Sequence, residues 1–415
     1  MAAASSSVGQ PSEGRAGAVD WRARMVATPE ILDGRQEVRI ALVIVLLLAA
    51  WFRFHGLNWD EGRHLHPDER FLSTVTNDLQ WPENFDNYFN PAISTLSPYS
   101  LPNMGLYVYG TFPVYAVKWM AMLLDRNNYD QITFVGRALS AVFDIGTILF
   151  LFLIAKRLYG PKVGLLTAIL LSFSVLNIQL SHFYTVDTFA NLFVVGTIYS
   201  VYRANETGRW LDYALTGLLF GLGLASKLNV VTLIVPILIG AGLNFYQRRR
   251  DGNLQAAFEH TIVRLLTVFF IAALTFRVIH PISFSGPSFM NWSLNPPWVE
   301  DIKEQQKTLN GESDLPWIQQ WTNRSMLFPL SNIVLWGMGV PLGLASLMGI
   351  GFAFYELVRY RKLEHLLPVA YVGFTFLYHA SMFVKFMRYF LPIYPFLIMY
   401  AAYGIVRLWE YATRS

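Results

Sequence analysis

The sequence predicts an all-α protein that crosses the membrane about ten times, and three observations support this fold class. First, 54% of the 415 residues are hydrophobic and 14% are charged, which is too little charge to coat a water-soluble body of this size. Second, apolar runs near the ~20 residues of a spanning helix recur along the chain. Third, loops rich in Lys and Arg alternate with loops poor in them. The sequence contains no cysteine, which excludes disulfides and thiolate metal sites.

The chain opens with residues 1–37, which are small, polar and weakly basic and lack the apolar core and cleavage site of a secretory signal. We expect them to form a disordered cytoplasmic tail. The apolar run 38–54 then predicts an uncleaved first span. Ten further apolar runs follow, at 104–124, 132–155, 163–181, 186–202, 210–226, 230–246, 262–283, 331–357, 365–384 and 389–409.

The basic loops decide which of these eleven runs cross the membrane. The loops KRLYGPK (156–162), QRRRDG (247–252) and RYRK (359–362) should lie in the cytoplasm by the positive-inside rule. These loops lie on the same side as the N-terminal tail only if the run 104–124 does not cross the membrane. The lysine, proline and aromatic residues of this run suit a helix that lies on the outer membrane surface.

This topology gives ten spans with both termini inside. Residues 38–410 then form a single membrane domain, and 411–415 form a cytoplasmic end. The first long loop, 55–131, and the second long loop, 284–330, should both face outside.

Acidic residues gather at the predicted outer face. Asp68 and Glu69 lie in HLHPDERF of the first long loop, and Asp187 ends LSHFYTVD. Carboxylates that converge from separate segments suit a transfer to a hydroxyl or amine, because one can deprotonate the acceptor while another orients it or holds a metal. A solvated loop for Asp68 and Glu69, and a helix N-cap for Asp187, are the alternative interpretations.

Three cations lie near the same face, namely Lys227, Lys385 and Arg388. Any single one could extend to the interface, but three together favour a lipid-phosphate site. His64 and His66 could bind a divalent cation or could simply be polar loop residues.

The second long loop carries four tryptophans, which we interpret as an interfacial belt or a lid rather than as catalytic groups. The sequence has no phosphate-cradling glycine motif. The basic residues follow the membrane topology, so no nucleic-acid partner is expected.

Five motifs in this order resemble the GT-C-type membrane glycosyltransferases, within them most closely the branch of protein O-mannosyltransferases and the lipid A aminoarabinose transferase. The resemblance covers about residues 50–405. The motifs are HPDER, RALSAVFDIGTILFLFLIAKRLYG, LSHFYTVDTFANLF, GLLFGLGLASKLN and MRYFLPIYPFLIMYAAYG.

The resemblance implies an enzyme of a bacterial cytoplasmic membrane that uses a polyprenyl-phosphate-linked sugar as donor at the outer face and inverts the anomeric centre. Asp68 matches the family's catalytic base, with Glu69 its neighbour, and Asp187 matches a second acid. Lys227 and Arg388 match positions that face the donor phosphate.

Two points of the resemblance stay open. HPDE fits the first motif better than the earlier NWDE, so Asp60 and Glu61 serve as the comparison pair. The chain ends soon after the last motif, where many relatives continue, so the acceptor could be a lipid, a glycan or a protein.

Two other classes of function stay open at this stage. A transporter or flippase of a lipid-linked substrate should place charge near the bilayer midplane, where Asp144 is the main candidate. A buried, hydrogen-bonded Asp is the simpler interpretation of that residue. A non-catalytic scaffold is the third class, which the acids and cations named above argue against.

Overall fold

A computed structural model describes residues 36–102, 105–249 and 253–414. The predicted tail therefore lies, apart from its last two residues, outside the described residues. Within the described ranges the regular structure is helical, and the one β-type contact is an isolated antiparallel bridge between Phe284 and Leu294. The predicted class, an all-α membrane protein, is confirmed.

The helices of the first half surround the first long loop. In chain order they are α1 (Gln36–Phe54), α2 (Pro67–Asp78), α3 (Phe85–Tyr88), α4 (Thr111–Leu123), α5 (Tyr129–Tyr159), α6 (Pro161–Ser172), α7 (Val175–Ser181) and α8 (Asp187–Thr207). A short 3-10 helix, Pro98–Ser100, lies between α3 and α4.

The second half continues with longer helices. They are α9 (Trp210–Ser226), α10 (Ile234–Arg248), α11 (Leu254–Ile279), α12 (Pro296–Asn310), α13 (Phe328–Asn332), α14 (Val340–Tyr360), α15 (Leu366–Ser381) and α16 (Tyr394–Arg414). The 3-10 segments Leu228–Leu233 and Met387–Ile393 lead directly into α10 and α16. Other short turns of helix are Pro281–Ser283, Pro316–Trp321, Ile333–Gly337 and Leu363–His365.

Each predicted apolar run overlaps a described helix. By length and apolar composition alone, five of these qualify as spans: α5, α10 with its 3-10 turn, α11, α14, and α16 with its 3-10 turn. The bent pair α6 and α7 makes a sixth if it counts as one span. Of the others, α9 has 17 residues and α15 has 16, so the number of ten crossings stays a prediction.

Helix α4 is the part of run 104–124 that is helical. Its 13 residues extend about 20 Å at ~1.5 Å per residue, which is too short for ~30 Å of hydrocarbon. Val114, Val117 and Ala121 are fully buried in a cluster with Leu72 and Ile132 of α2 and α5. This length agrees with the expectation that the run does not cross.

Close helix packing fixes the position of α9. An added Cβ at Gly217 would lie 2.4 Å from the Val268 carbonyl oxygen of α11, and one at Gly221 would lie 2.6 Å from that of Ala272. Only glycine allows this approach of two backbones. The C-terminal end of α9, where Lys227 follows, is therefore held at a defined depth.

A charged cluster stabilises the break between α6 and α7, where the helix axis bends by 58°. Arg53 of α1 donates to the carbonyl oxygens of Ser172 and Leu171 at 3.0 and 3.3 Å, and pairs with Asp144 at 2.6 Å. Asn177 also donates to Asp144, at 3.0 Å. Asp144 is thus fully buried and hydrogen-bonded, in agreement with the simpler interpretation of this residue.

Candidate active site

The octapeptide HLHPDERF forms the beginning of α2. His66 is the N-cap, and its Nδ1 accepts a hydrogen bond from the Glu69 backbone N–H at 3.3 Å. Pro67 occupies the first helical position, where its missing N–H costs nothing, and the two acids lie in the first turn, where the helix dipole stabilises negative charge. The alternative of a solvated loop is therefore wrong, because α2 fixes the direction of each acid.

Asp68 forms an ion pair with Arg388, which lies 320 residues away in the 3-10 segment before α16. Their side chains are 18% and 25% exposed, so a ligand can reach both. Tyr109 of the first long loop also hydrogen-bonds Asp68. Burial, reinforced by the negative charge of Asp68, raises the pKa of Tyr109 well above its ordinary value, so its hydroxyl is protonated and donates.

Glu69 has a different role from the predicted one. Its side chain is fully buried, pairs with Arg137 of α5 at 2.5 Å, and accepts a hydrogen bond from the Tyr184 backbone N–H at 2.7 Å. A carboxylate enclosed in this way cannot touch an acceptor. Glu69 positions its neighbour Asp68, and the prediction that it acts chemically is not supported by this geometry.

Asp60 and Glu61, expected to be a comparison pair, also differ from each other: one is buried and paired, and the other is exposed. Asp60 accepts two hydrogen bonds from Arg137, at 2.8 and 3.0 Å, whereas Glu61 is 78% exposed. Burial by itself raises the pKa of Asp60, but the hydrogen bonds and charge of Arg137 outweigh it and lower that pKa to about 2. Asp60 is therefore structural, and only Glu61 is a neutral comparison.

Asp187 and Lys227 form the second ion pair. Asp187 is the first residue of α8 rather than its N-cap, and its Oδ1 lies 2.6 Å from Lys227 Nζ. Lys227 is the residue at which α9 ends, and its Nζ also lies 5.0 Å from the centre of the Tyr389 ring. The structure thus brings Asp68, Asp187, Lys227 and Arg388 to one end of the helix bundle.

An open cleft of about 410 Å³ includes Arg388 in its lining. The charged or imidazole side chains of that lining are His66, Lys385 and Arg388. The remaining wall is largely apolar or aromatic and includes Leu176, Leu180, Phe183, Trp321, Trp336, Phe386 and Met387, with Gln179 and Asn332 as its amides. A cleft that combines cations with a largely apolar wall suits an amphiphilic phosphate.

Lys385, predicted to bind the donor phosphate, lies in this cleft but is 4% exposed. Its Nζ donates to the carbonyl oxygens of Ala380, at 2.8 Å, and Met382. Burial lowers its pKa. The ammonium has three N–H groups, so one is available beyond these two bonds.

The histidines do not converge on a metal. His64 lies between Thr133 and Asp130, at 3.1 and 3.0 Å, while His66 caps α2. Within the described ranges no group of three or more His, Asp or Glu side chains is arranged to hold a metal ion. The predicted metal ligation by His64 and His66 therefore lacks a donor set in this part of the chain.

A residue of the second long loop forms hydrogen bonds with the first long loop. Asp301 of α12 accepts hydrogen bonds from the Tyr99 hydroxyl and the Tyr107 backbone N–H, at 2.9 and 3.0 Å. This contact holds the segment that carries Tyr109. Trp321 lines the cleft at 8% exposure, whereas Trp317 is 45% exposed and suits the interfacial belt.

Sequence reasoning missed Arg137 and Tyr109. Arg137 lies in a predicted membrane run, and an arginine at such a position is costly unless it is paired, which is the signal that marks it. Tyr109 is one aromatic among several in YVYGTF, and no pattern distinguishes it.

Comparisons with known proteins agree with this fold. Residues 114–276 match the family of dolichyl-phosphate-mannose-protein mannosyltransferases. None of the curated proteins compared with the chain matches it.

Among solved structures, the chain is similar to the oligosaccharyltransferase of Archaeoglobus fulgidus crystallised with zinc and sulfate. The TM-score is 0.59 and the identity 17%, over 90% of this chain and 49% of that one. It is also similar to ArnT of Cupriavidus metallidurans bound to undecaprenyl phosphate, with a TM-score of 0.56 and 15% identity over 89% of this chain and 60% of that one.

A third match is the same archaeal enzyme, AglB, in complex with an inhibitory peptide and a dolichol-phosphate. Its TM-score is 0.60 and its identity 14%, over 90% of this chain and 50% of that one. The chain thus spans about half the length of the archaeal enzyme. At these identities the likeness shows the fold, and the fold is the one that the sequence motifs predicted.

Proposed function

The chain has the fold of the GT-C-type membrane glycosyltransferases, and on that premise we propose that it moves a sugar from a polyprenyl-phosphate carrier to an acceptor, with inversion. The observation that carries the proposal is the Asp68–Arg388 ion pair beside the amphiphilic cleft. The pair puts a carboxylate next to the place where a lipid phosphate would bind.

Supporting evidence comes from the charges around that pair. Arg388 is under the electrostatic influence of both Asp68 and Asp187, so one guanidinium serves both acids. The sugar-carrying phosphodiester has one negative charge, and the polyprenyl phosphate that leaves has up to two. Arg388 and Lys227 would stabilise the charge that develops, as preorganised cations do in phosphate departure.

Asp68 is the proposed general base. It would accept the proton of the acceptor's hydroxyl or amine while the acceptor atom bonds to the anomeric carbon and the bond from that carbon to the phosphate oxygen breaks. Attack from the face opposite the phosphate inverts the centre. Because a phosphate leaves without protonation at neutral pH, the mechanism needs no general acid.

The guanidinium of Arg388 can hold Asp68 and a phosphate at once. It has five N–H groups in a planar fork, and one of them, on Nη1, binds Asp68. A phosphate arriving in the cleft would share this guanidinium and so weaken the Asp68–Arg388 pair.

The proposal extends to location and partners. The two long loops and the site would face the outer side of a bacterial cytoplasmic membrane, with a lipid, glycan or protein as acceptor. Topology is tested by a reporter fused after Arg126, at the end of the first long loop. An extracytoplasmic signal is expected there, and a cytoplasmic one would contradict the orientation.

The function is tested by incubating the detergent-purified protein with polyprenyl-phosphate sugars radiolabelled in the sugar and with a heat-treated membrane extract as the source of acceptors, and by measuring the labelled acceptor and the free polyprenyl phosphate released. The wild-type chain should consume at least one donor, D68N should fall to background, and E61Q, which changes an exposed acid, should keep its rate. Undiminished turnover in D68N would refute the assignment of the base. A transporter or flippase would leave every donor intact.

A further inference from the structure

We propose that His66 binds the phosphate of the lipid carrier, by donating a hydrogen bond from Nε2–H to a phosphate oxygen. The inference rests on the proposed function and adds a residue to its binding site. His66 would serve as a neutral hydrogen-bond donor and not as a metal ligand.

The helix cap determines which ring nitrogen carries the proton. Nδ1 of His66 accepts the hydrogen bond from the Glu69 backbone N–H, so Nδ1 has no proton. A neutral imidazole carries one proton, which must then be on Nε2. Within the described part of the chain, no hydrogen bond joins Nε2 to another residue, so this donor is available to a ligand.

The ring is also held at a fixed angle. It stacks on Phe183, with the ring centres 4.4 Å apart and the planes 29° from parallel. Both rings line the cleft. With Nδ1 directed at the helix terminus and one face covered by Phe183, the Nε2 edge is the part of His66 that a molecule in the cleft can reach.

The charged residues that line the cleft together with His66 favour an anionic ligand. They are Lys385 and Arg388, and both are donors, whereas Asp68, which also acts on the His66 ring, is neutralised by Arg388. Three donors in an otherwise largely apolar cleft suit a ligand that combines a phosphate with an apolar chain. An alcohol at the same place would use fewer of them.

The test is a titration of the detergent-purified chain with undecaprenyl phosphate, followed through the fluorescence of Trp321 and Trp336 in the cleft wall. The variant H66N keeps a good N-cap oxygen but is too short to place a donor where Nε2–H lies. H66Q restores the reach of the donor. R70Q, at an exposed position of the same helix, is the matched control for a change of side chain on α2.

We expect H66N to bind undecaprenyl phosphate about tenfold more weakly, as the loss of one hydrogen bond to a charged group implies. H66Q should recover most of this loss, and R70Q should bind as the wild type does. Undecaprenol, which lacks the phosphate, should bind equally to all four proteins. Inorganic phosphate as competitor reports whether the headgroup alone occupies the site.

Four results would overturn the inference. Equal affinity of H66N and the wild type for undecaprenyl phosphate would remove His66 from the site and leave the proposed function standing. An equal loss for the phosphate and the alcohol would mean that His66 only packs the wall. A wild-type chain that binds undecaprenyl phosphate no better than undecaprenol would refute the lipid-phosphate function itself. If H66N unfolds, H66Q decides, because weak binding by a folded H66Q contradicts the proposal.

Discussion

Asp60 and Glu69, nine residues apart in the first long loop, bind the same guanidinium, that of Arg137. All three side chains are at most 1% exposed. One cation thus closes the loop between the two acids and holds the first turn of α2 against α5. Asp68 lies between Glu69 and the cap residue His66, so this arrangement also fixes the direction of its side chain.

The E69Q variant should lower the stability of the protein more than it lowers the transfer rate. Removing one partner of a buried ion pair costs about 3–5 kcal/mol when the other charge is left uncompensated. Because Asp60 still neutralises Arg137 in E69Q, we expect a loss below that range. Thermal unfolding in detergent measures the effect, and E61Q, at an exposed position, should unfold at the wild-type temperature. An unchanged Tm for E69Q would contradict the role of this cluster.

Stability should fall in acid because of Asp60. Its folded-state pKa of about 2 lies below the ordinary value of 3.8, so its contribution is complete above pH ~4 and disappears as the pH falls towards 2. The contribution is roughly 2 kcal/mol. Unfolding measured between pH 5 and pH 2 should show a smaller acid loss in D60N, which starts from a lower stability. Parallel curves for the two proteins would refute this origin of the acid sensitivity.

Y109F should slow transfer without weakening carrier binding. The Tyr109 hydroxyl donates to Asp68, and without it the carboxylate loses one of the groups that hold it in place. We expect kcat to fall about tenfold, in line with the loss of one hydrogen bond to a charged group, while affinity for undecaprenyl phosphate stays the same. Y99F removes a hydroxyl bound to Asp301. It tests whether the contact between the two long loops also affects kcat, because this contact holds the segment that carries Tyr109. A change in affinity with unchanged kcat in Y109F would contradict the assignment.

The Asp187–Lys227 pair should behave as a coupled unit. D187N leaves Lys227 without its carboxylate, and K227M leaves Asp187 charged in a 4% exposed position. Each single variant should destabilise the protein, and the double variant should lose less than the sum of the two. Additive losses of Tm would show that the 2.6 Å contact contributes no coupling energy. Activity should fall in all three variants, because the cation at Lys227 is lost or displaced.

Much of the site could be predicted because its residues lie at helix ends, next to strong local signals. Asp68 follows a proline at a helix start, Asp187 opens an apolar run, and Lys227 closes one. Alternating basic loops place all three at the same end of their helices. In the structure Asp187 pairs with Lys227, Asp68 pairs with Arg388, and the charges of both acids act on Arg388.

The partners of these residues could not be predicted in the same way. A single sequence does not tell which acid of HPDE and which of NWDE will face a given arginine, because the answer depends on how the loop folds back over α5. Local pattern favoured Glu69 as a catalytic neighbour of Asp68, but helix geometry turns consecutive residues about 100° apart, and Arg137 binds the inner one. Tertiary position decided between two chemically equivalent carboxylates.

The contacts of Arg53 at the break between α6 and α7 bear on how the protein is assembled in the bilayer. An unpaired arginine near the end of α1 would face hydrocarbon at considerable cost until Asp144 and the carbonyl oxygens of Ser172 and Leu171 are within reach. The first span is therefore expected to leave the translocation machinery together with α5, α6 and α7 rather than alone. A glycosylation or protease-protection assay on truncated chains would then show α1 stably integrated only when residues up to about 180 have been made.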